Sequence, residues 1–246
     1  MTHPAAKHDK ISATDHLSRA REKPMGLTLH FELRLPGDTS REDVLSRLTR
    51  LHDAAATRDF DDLSPIVQVA NVESESDEVR RSPWECIHYF ADFLAEPLPG
   101  DEPPHYFGDV DSAIGFRVDP GDGAETATFG LMHRRAEAGD REEWYWWCSC
   151  KTQYASLVSD EHFVRVHTRL VSLLDVAVEL GFVVEVSDEG EYWQSRSEEV
   201  LLASLAKMNR LIAKFGGVLS DALGDEHKLE APIFSHRRFE RLEMDE

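Results

Sequence analysis

Cysteine is nearly absent: Cys86, Cys148 and Cys150 are the only three in 246 residues. So small and odd a set gives no framework of paired disulfides such as staples secreted domains, and a reducing cytoplasm fits it best. No run approaches the roughly 18 apolar residues of a membrane helix, and the first residues lack the apolar core of a secretory signal. Positive charge is also short, with 27 Lys and Arg against 47 Asp and Glu and a formal net charge of −20. That balance repels a phosphate backbone, which argues against nucleic acid, and it favours a basic protein partner.

Several signatures of chemistry are missing as well. The chain has no Gly-x-x-x-x-Gly-Lys-[Ser/Thr], Gly-x-Gly-x-x-Gly, Gly-x-Ser-x-Gly or His-Glu-x-x-His. The phosphate-loop, dinucleotide, serine-hydrolase and zinc-peptidase motifs are thereby excluded in their recognisable forms. Pro120-Gly-Asp-Gly-Ala124 is glycine-rich, but it joins two strand patterns rather than opening a helix. Cys148 and Cys150 are two apart and lack the paired Cys-x-x-Cys spacing of a structural zinc site, so they read as small buried hydrophobes. His162 and His167 are five apart, roughly 140° around a helix, and do not share a metal. No metal and no cofactor are implied.

What is present is a globular composition, 41% hydrophobic and 30% charged, enough apolar residues for one sizeable core. Residues 1–24 show no sustained apolar period and read as a flexible N-terminal extension; Met25, directly before the first strand pattern, serves equally as a start. Residues 25–223 read as a single α+β domain, and 224–246 as a charged arm in which Ile233, Phe234 and Phe239 are able to dock.

Alternation over Leu27–Leu35 predicts a first strand with one buried face. Ser40 caps a helix to about Ala56 that buries Val44, Leu48, Leu51 and Ala55. Ser64–Val69 predicts a short second strand, and Pro83–Glu96 a helix burying Trp84, Ile87, Phe90 and Leu94. Ser112–Val118 and Thr126–Met132 flank the glycine-rich turn as a hairpin, and Glu143–Tyr154 follows as a third adjacent strand. In Trp144-Tyr-Trp-Trp147 both faces are apolar, which predicts a central strand covered on two sides. A helix over 160–180 stops at Gly181, with His167 a hydrogen-bonded histidine bordering its apolar face. Phe182–Val186 is the last strand, and a helix over 197–223 buries Leu201, Leu205, Met208, Ile212, Phe215 and Leu219. Strand, helix, hairpin, helix, strand is the order of a ferredoxin-like α/β sandwich, here with a helical insertion after the first helix and an extra C-terminal helix.

Three segments stand out: Glu125-Thr-Ala-Thr-Phe-Gly-Leu131, Cys150-Lys-Thr-Gln-Tyr-Ala155, and Asp188-Glu-Gly-Glu-Tyr-Trp193 with Arg196 close behind. Together with the opening Gly-Leu-Thr-Leu-His strand they resemble a family of uncharacterised bacterial proteins. The resemblance covers Gly26 to about Leu223, carries no function, and implies only that these loops belong together. Read as a cleft, Lys151 and Arg196 are suited to an anion, Glu125, Asp188 and Glu189 to a cation or a proton, and Tyr154, Tyr192 and Trp193 to stacking on a ring. Read as structure, Lys151 pairs with a carboxylate, Asp188-Glu189-Gly190 is a turn and the aromatics finish the core edge. The expectation is an acidic binding or regulatory module, immunity-like, acting on a basic protein or as a homodimer; the alternative is a small-molecule enzyme or sensor using that cleft.

Overall fold

The computed structural model describes residues 27–70, 90, 91, 94, 110–134 and 142–223. Strand β1 (Thr28–Pro36) alternates as its sequence dictates, with Leu29, Phe31, Leu33 and Leu35 buried and His30, Glu32 and Arg34 half-exposed. Helix α1 (Arg41–Ala56) starts where the Ser40 hydroxyl accepts from the Asp43 N–H at 3.1 Å, and it buries Val44, Leu48, Leu51 and Ala55. Then come β2 (Asp62–Leu63), β3 (Val67–Ala70), β4 (Val110–Asp119), β5 (Ala127–Arg134) and β6 (Glu143–Lys151). A 3-10 turn (Gln153–Leu157) leads into α2 (Asp160–Glu179), followed by β7 (Val183–Asp188), the single turn α3 (Tyr192–Ser195) and the long α4 (Glu198–Leu223).

The strands form one antiparallel sheet in the order β2-β4-β5-β6-β1-β7, with β3 also paired along β4. This is a mixed α+β architecture. Its main core gathers the inward residues of β1, β4, β5 and β6 with those of α1 and α2. Helix α1 is tied to the end of α2 by Arg47, which donates to Leu180 O and Gly181 O at 3.0 and 3.2 Å, and by Arg58, which donates to Ser172 Oγ at 2.9 Å. Gly181 ends α2 with φ +85°, as its position predicts. A second, smaller core joins Leu27, Ala155, Phe163, Val164 and Val166 to Leu201 and Leu205, so α4 packs over the start of α2.

Several expectations need correction. The second strand is Val67–Ala70, with the separate β2 ahead of it; Pro65 has no N–H to give a ladder, so pairing along β4 breaks between the two. Strand β6 ends at Lys151 rather than Tyr154, because the next residues turn into a 3-10 helix. It does lie centrally between β5 and β1, but only Trp144, Trp146, Cys148 and Cys150 are buried, while Tyr145 and Trp147 are half-exposed. The last strand runs on to Asp188, which puts Asp188 in β7 rather than in a turn. In α4, Leu201, Leu205 and Ile212 point inward, while Phe215 is 50% exposed. Of the helix expected over Pro83–Glu96, the helical residues Phe90, Ala91 and Leu94 are described, and Phe90 and Leu94 are buried; its remainder, residues 1–24 and the arm 224–246 lie outside the described residues.

One local departure shapes the sheet. Strands β5 and β6 pair in register only at Met132–Arg134 against Glu143–Tyr145. Beyond that, β6 side chains take up backbone groups of β5 and of Glu125 just ahead of it: the Trp146 indole N–H donates to Thr128 O at 2.9 Å, the Thr128 N–H donates to Cys148 Sγ at 3.4 Å, and the Cys150 thiol donates to Glu125 O at 2.9 Å. Buried backbone groups need a partner, and here side chains supply it. Burial pushes both thiols up, Cys150 well above its ordinary value, which disfavours a reactive thiolate.

Candidate functional site at the end of the sheet

The Cys150-Lys-Thr-Gln-Tyr-Ala155 segment leaves β6 where β1 begins and β7 ends. Register makes that meeting point definite, since Thr28 lies opposite Lys151 and Leu29 opposite Asp188. Thr152 donates its N–H to Leu27 O at 3.1 Å. Gln153 accepts the Leu27 N–H at 3.1 Å and donates to Asn209 Oδ1 of α4 at 2.7 Å, with both amides buried. The segment therefore fastens the start of β1, the end of β6 and α4 to one another.

Next to this fastening lies a buried polar chain. His167 of α2 is 0% exposed, with Nε2 at 3.2 Å from Asp188 Oδ2 and Nδ1 at 2.9 Å from Thr152 Oγ1. Nε2–H donates to the carboxylate, and Nδ1 and the threonine hydroxyl share the second hydrogen bond. Asp188 also accepts the Gly190 N–H at 2.7 Å and the Trp193 N–H at 2.8 Å. Burial by itself raises its pKa, but the His167 hydrogen bond and charge, with those two N–H groups, outweigh it and hold the carboxyl below the usual carboxylate range. Tyr192 stands edge-on to the imidazole at 6.3 Å and Phe163 lies 5.8 Å away.

Hydroxyl, imidazole and carboxylate in line is the order of a nucleophile-activating relay. Here, however, Thr152 and His167 are 0% exposed and Asp188 7%, so no substrate atom reaches the hydroxyl. What the chain does is hold α2, β7 and α3 together. Two left-handed non-glycine residues, Glu191 with φ 59° and Arg196 with φ 54°, bracket α3, and the Asp188 bonds to Gly190 and Trp193 hold the entry to that turn.

The eight residues singled out from sequence therefore separate into three groups and a lone Tyr154. Glu125, Lys151 and Glu189 meet at the sheet rim. The Glu125 carboxylate accepts the Lys151 N–H at 2.9 Å, with Lys151 Nζ 4.0 Å from it, and Glu189 accepts the Thr28 N–H at 2.8 Å. Burial pushes the Glu189 carboxyl up, aided by the neighbouring Asp188 charge and opposed by the Thr28 bond and the Lys151 charge. Asp188 belongs to the buried chain, and half-buried Tyr192 stands edge-on to its imidazole. Trp193 and Arg196 lie apart, with the guanidinium 4.5 Å above the indole and paired with both oxygens of Asp175 at 2.7 and 2.8 Å. Tyr154 is half-buried in the 3-10 turn, and its carbonyl lies so close to Gly123 (φ +80°) that a Cβ there would stand 2.5 Å from it.

Sequence reasoning placed His167 as a core histidine, as observed, but left Thr152, Gln153 and Asn209 out of the site. The available signal was polar residues inside otherwise apolar patterns: Thr152-Gln153 straight after a buried strand, and Asn209 within the inward stripe of α4. Comparison of the chain with protein-family models, curated proteins and solved structures finds no match. Among the described residues no helix is long and apolar enough to cross a membrane, and no cluster of His, Cys, Asp or Glu has the geometry to hold a metal ion.

Proposed function

We propose that this chain is an acidic binding or regulatory module, immunity-like in its logic, that docks a basic protein partner in the cytoplasm. The observation that carries the reading is where the polar groups lie. Those arranged for chemistry, Thr152, His167 and Asp188, are sealed inside, while carboxylates stand outside, with Asp59 at 94%, Glu185 at 62% and both Asp62 and Glu125 at 56% side-chain exposure, each beside one basic side chain (Arg169, Arg34, Arg117 and Lys151) on a chain whose net charge is −20. The whole sequence holds 47 Asp and Glu against 27 Lys and Arg. Charge of one sign over a surface steers a partner of the opposite sign and sets the register of docking.

The core of the module is, on this reading, a ferredoxin-like sandwich. Its support is the run β1, α1, β5, β6, α2, β7 and the sheet order β5-β6-β1-β7. Strands β2, β3 and β4 belong to the insertion, and α4 is the added helix.

The test is capture by the immobilised full chain followed by a salt gradient. A retained basic protein that elutes as salt rises, and that a variant with Asp59, Asp62 and Glu185 changed to Lys no longer holds, supports the module. Retention that ignores both salt and charge reversal refutes it. A second reading, a small-molecule enzyme or sensor, draws on the register that brings Lys151 beside Glu125 and Glu189. It now rests on those three rim residues, and Lys151→Ala is its direct test.

A further inference from the structure

Helix α4 runs against the charge of the rest of the chain. From Val200 to Ser220 there is no Asp or Glu, while Lys207, Arg210 and Lys214 all fall there. At 100° per residue, Lys207, Arg210, Leu211, Lys214 and Phe215 occupy about 140° of arc, centred away from the inward Leu201, Leu205, Asn209 and Ile212, with Phe215 at its edge beside them. Leu211 is 56% exposed and Phe215 50%. The outer face of α4 is thus a cationic stripe around two apolar side chains, on a protein of net charge −20.

A counterpart lies across the second core. Between the 3-10 turn and α2, Leu157 is 37% and Val158 56% exposed, and Asp160 and Glu161 follow in the first turn of α2. This knob is apolar and acidic where the α4 face is apolar and basic. Both flank the core in which Phe163, Val164 and Val166 meet Leu201 and Leu205. A two-fold interface needs each copy to offer both halves of a complementary pair, and this chain offers both.

We infer that two copies of the chain associate about a two-fold axis, the outer α4 face of each seated on the Leu157–Glu161 knob of the other. Two bodies each carrying −20 repel at most approaches, so the stripe without carboxylates is where a second copy meets attraction rather than repulsion. Burial of Leu211, Phe215 and Val158 supplies the apolar centre, and Lys207, Arg210 and Lys214 face Asp160 and Glu161 around it. The contact uses none of Asp59, Asp62 or Glu185, so the basic-partner reading stands or falls separately.

Sedimentation equilibrium on the full chain from about 1 to 100 μM tests it. The expected result is a mass approaching twice 27.9 kDa at the upper end, reduced to a single copy in L211D/F215D with an unchanged far-UV spectrum. V178D, which places the same charge at an exposed residue elsewhere on α2, keeps the dimer. Lys214→Glu and Asp160→Lys each weaken association about tenfold or more, and the two together restore it, a recovery that a folding defect does not produce. A single-copy mass for the wild type throughout, or a dimer that survives L211D/F215D, overturns the inference.

Discussion

Replacing Asp188 by Ala is the substitution whose cost the structure defines most fully. It leaves three donors without an acceptor, the buried Gly190 N–H and His167 Nε2–H and the part-buried Trp193 N–H. A buried donor without a partner costs about 1–3 kcal/mol, and breaking a buried charged pair from one side about 3–5 kcal/mol. Because α3 can relax toward solvent and wet some of these groups, the expected loss is about 3–5 kcal/mol, a large share of the ~5–15 kcal/mol that holds a domain together. Urea unfolding at pH 7, read by tryptophan fluorescence and far-UV dichroism, measures it. Asp188→Asn keeps one acceptor oxygen, and its amide tolerates His167 with the opposite ring nitrogen protonated, so its cost is smaller, about 1–2 kcal/mol. Asp175→Ala, which removes an exposed pair with Arg196, serves as control and costs below about 1 kcal/mol. An Asp188→Ala protein within about 1 kcal/mol of wild type refutes the argument that this carboxylate locks α2, β7 and α3.

The pH dependence of the same group has a definite sign. Its folded pKa lies below the ordinary ~3.9, so its contribution is full above that value and is lost as pH falls through the folded value; Asp188→Asn flattens this part of the acid-unfolding curve. Glu189 runs the other way. Its folded pKa is raised, so burying the charge costs stability as pH rises through that value, and Glu189→Gln raises the urea midpoint more at pH 7 than at pH 4 relative to wild type. Gly190→Ala places a Cβ 2.6 Å from Leu201 Cδ1 and 3.2 Å from His167 Cε1; the expected cost is about 1–3 kcal/mol by thermal melt. In a Cys86→Ser background, Cys148 and Cys150 resist a thiol reagent while the protein is folded and react on unfolding, because both are buried; rapid labelling of the native protein contradicts their assignment as packing residues.

Most of the frame was legible because it rests on local periodicity. The alternation of β1, the Ser40 cap, the stripe of α1 and the stop at Gly181 each need only neighbours in sequence. What was not legible depends on distance along the chain. Asp188 looks like the start of an Asp-Glu-Gly turn until Leu29 pairs with it and draws it into β7. Its imidazole partner is 21 positions away and its hydroxyl end 36, so nothing local announces the chain Thr152, His167, Asp188. The two-residue β2 exists only because Asp119 and Val118 lie opposite it. Phe215 fits a heptad step from Leu205 and Met208, but α4 turns by 100° per residue, and by that position the stripe has rotated off the second core. The eight candidate residues were read as able to share one cleft, and Glu125, Lys151 and Glu189 are the ones that come together at the sheet rim. All eight were wrongly read as one cleft, because sequence does not say which side chains are spent on each other.

The central claim is that this protein works through its charged exterior and keeps its polar cluster for structure. Thermal unfolding of the full chain measures this most directly, taken against divalent metals, nucleotides and common metabolites and, separately, against the basic protein retained by capture, since selective binding to the native state raises the midpoint. The account predicts that the small molecules leave the midpoint in place and that the basic protein raises it, less so as salt increases. A saturable rise with one small molecule, abolished by Lys151→Ala, contradicts it and restores the rim of Glu125, Lys151 and Glu189 as a ligand site.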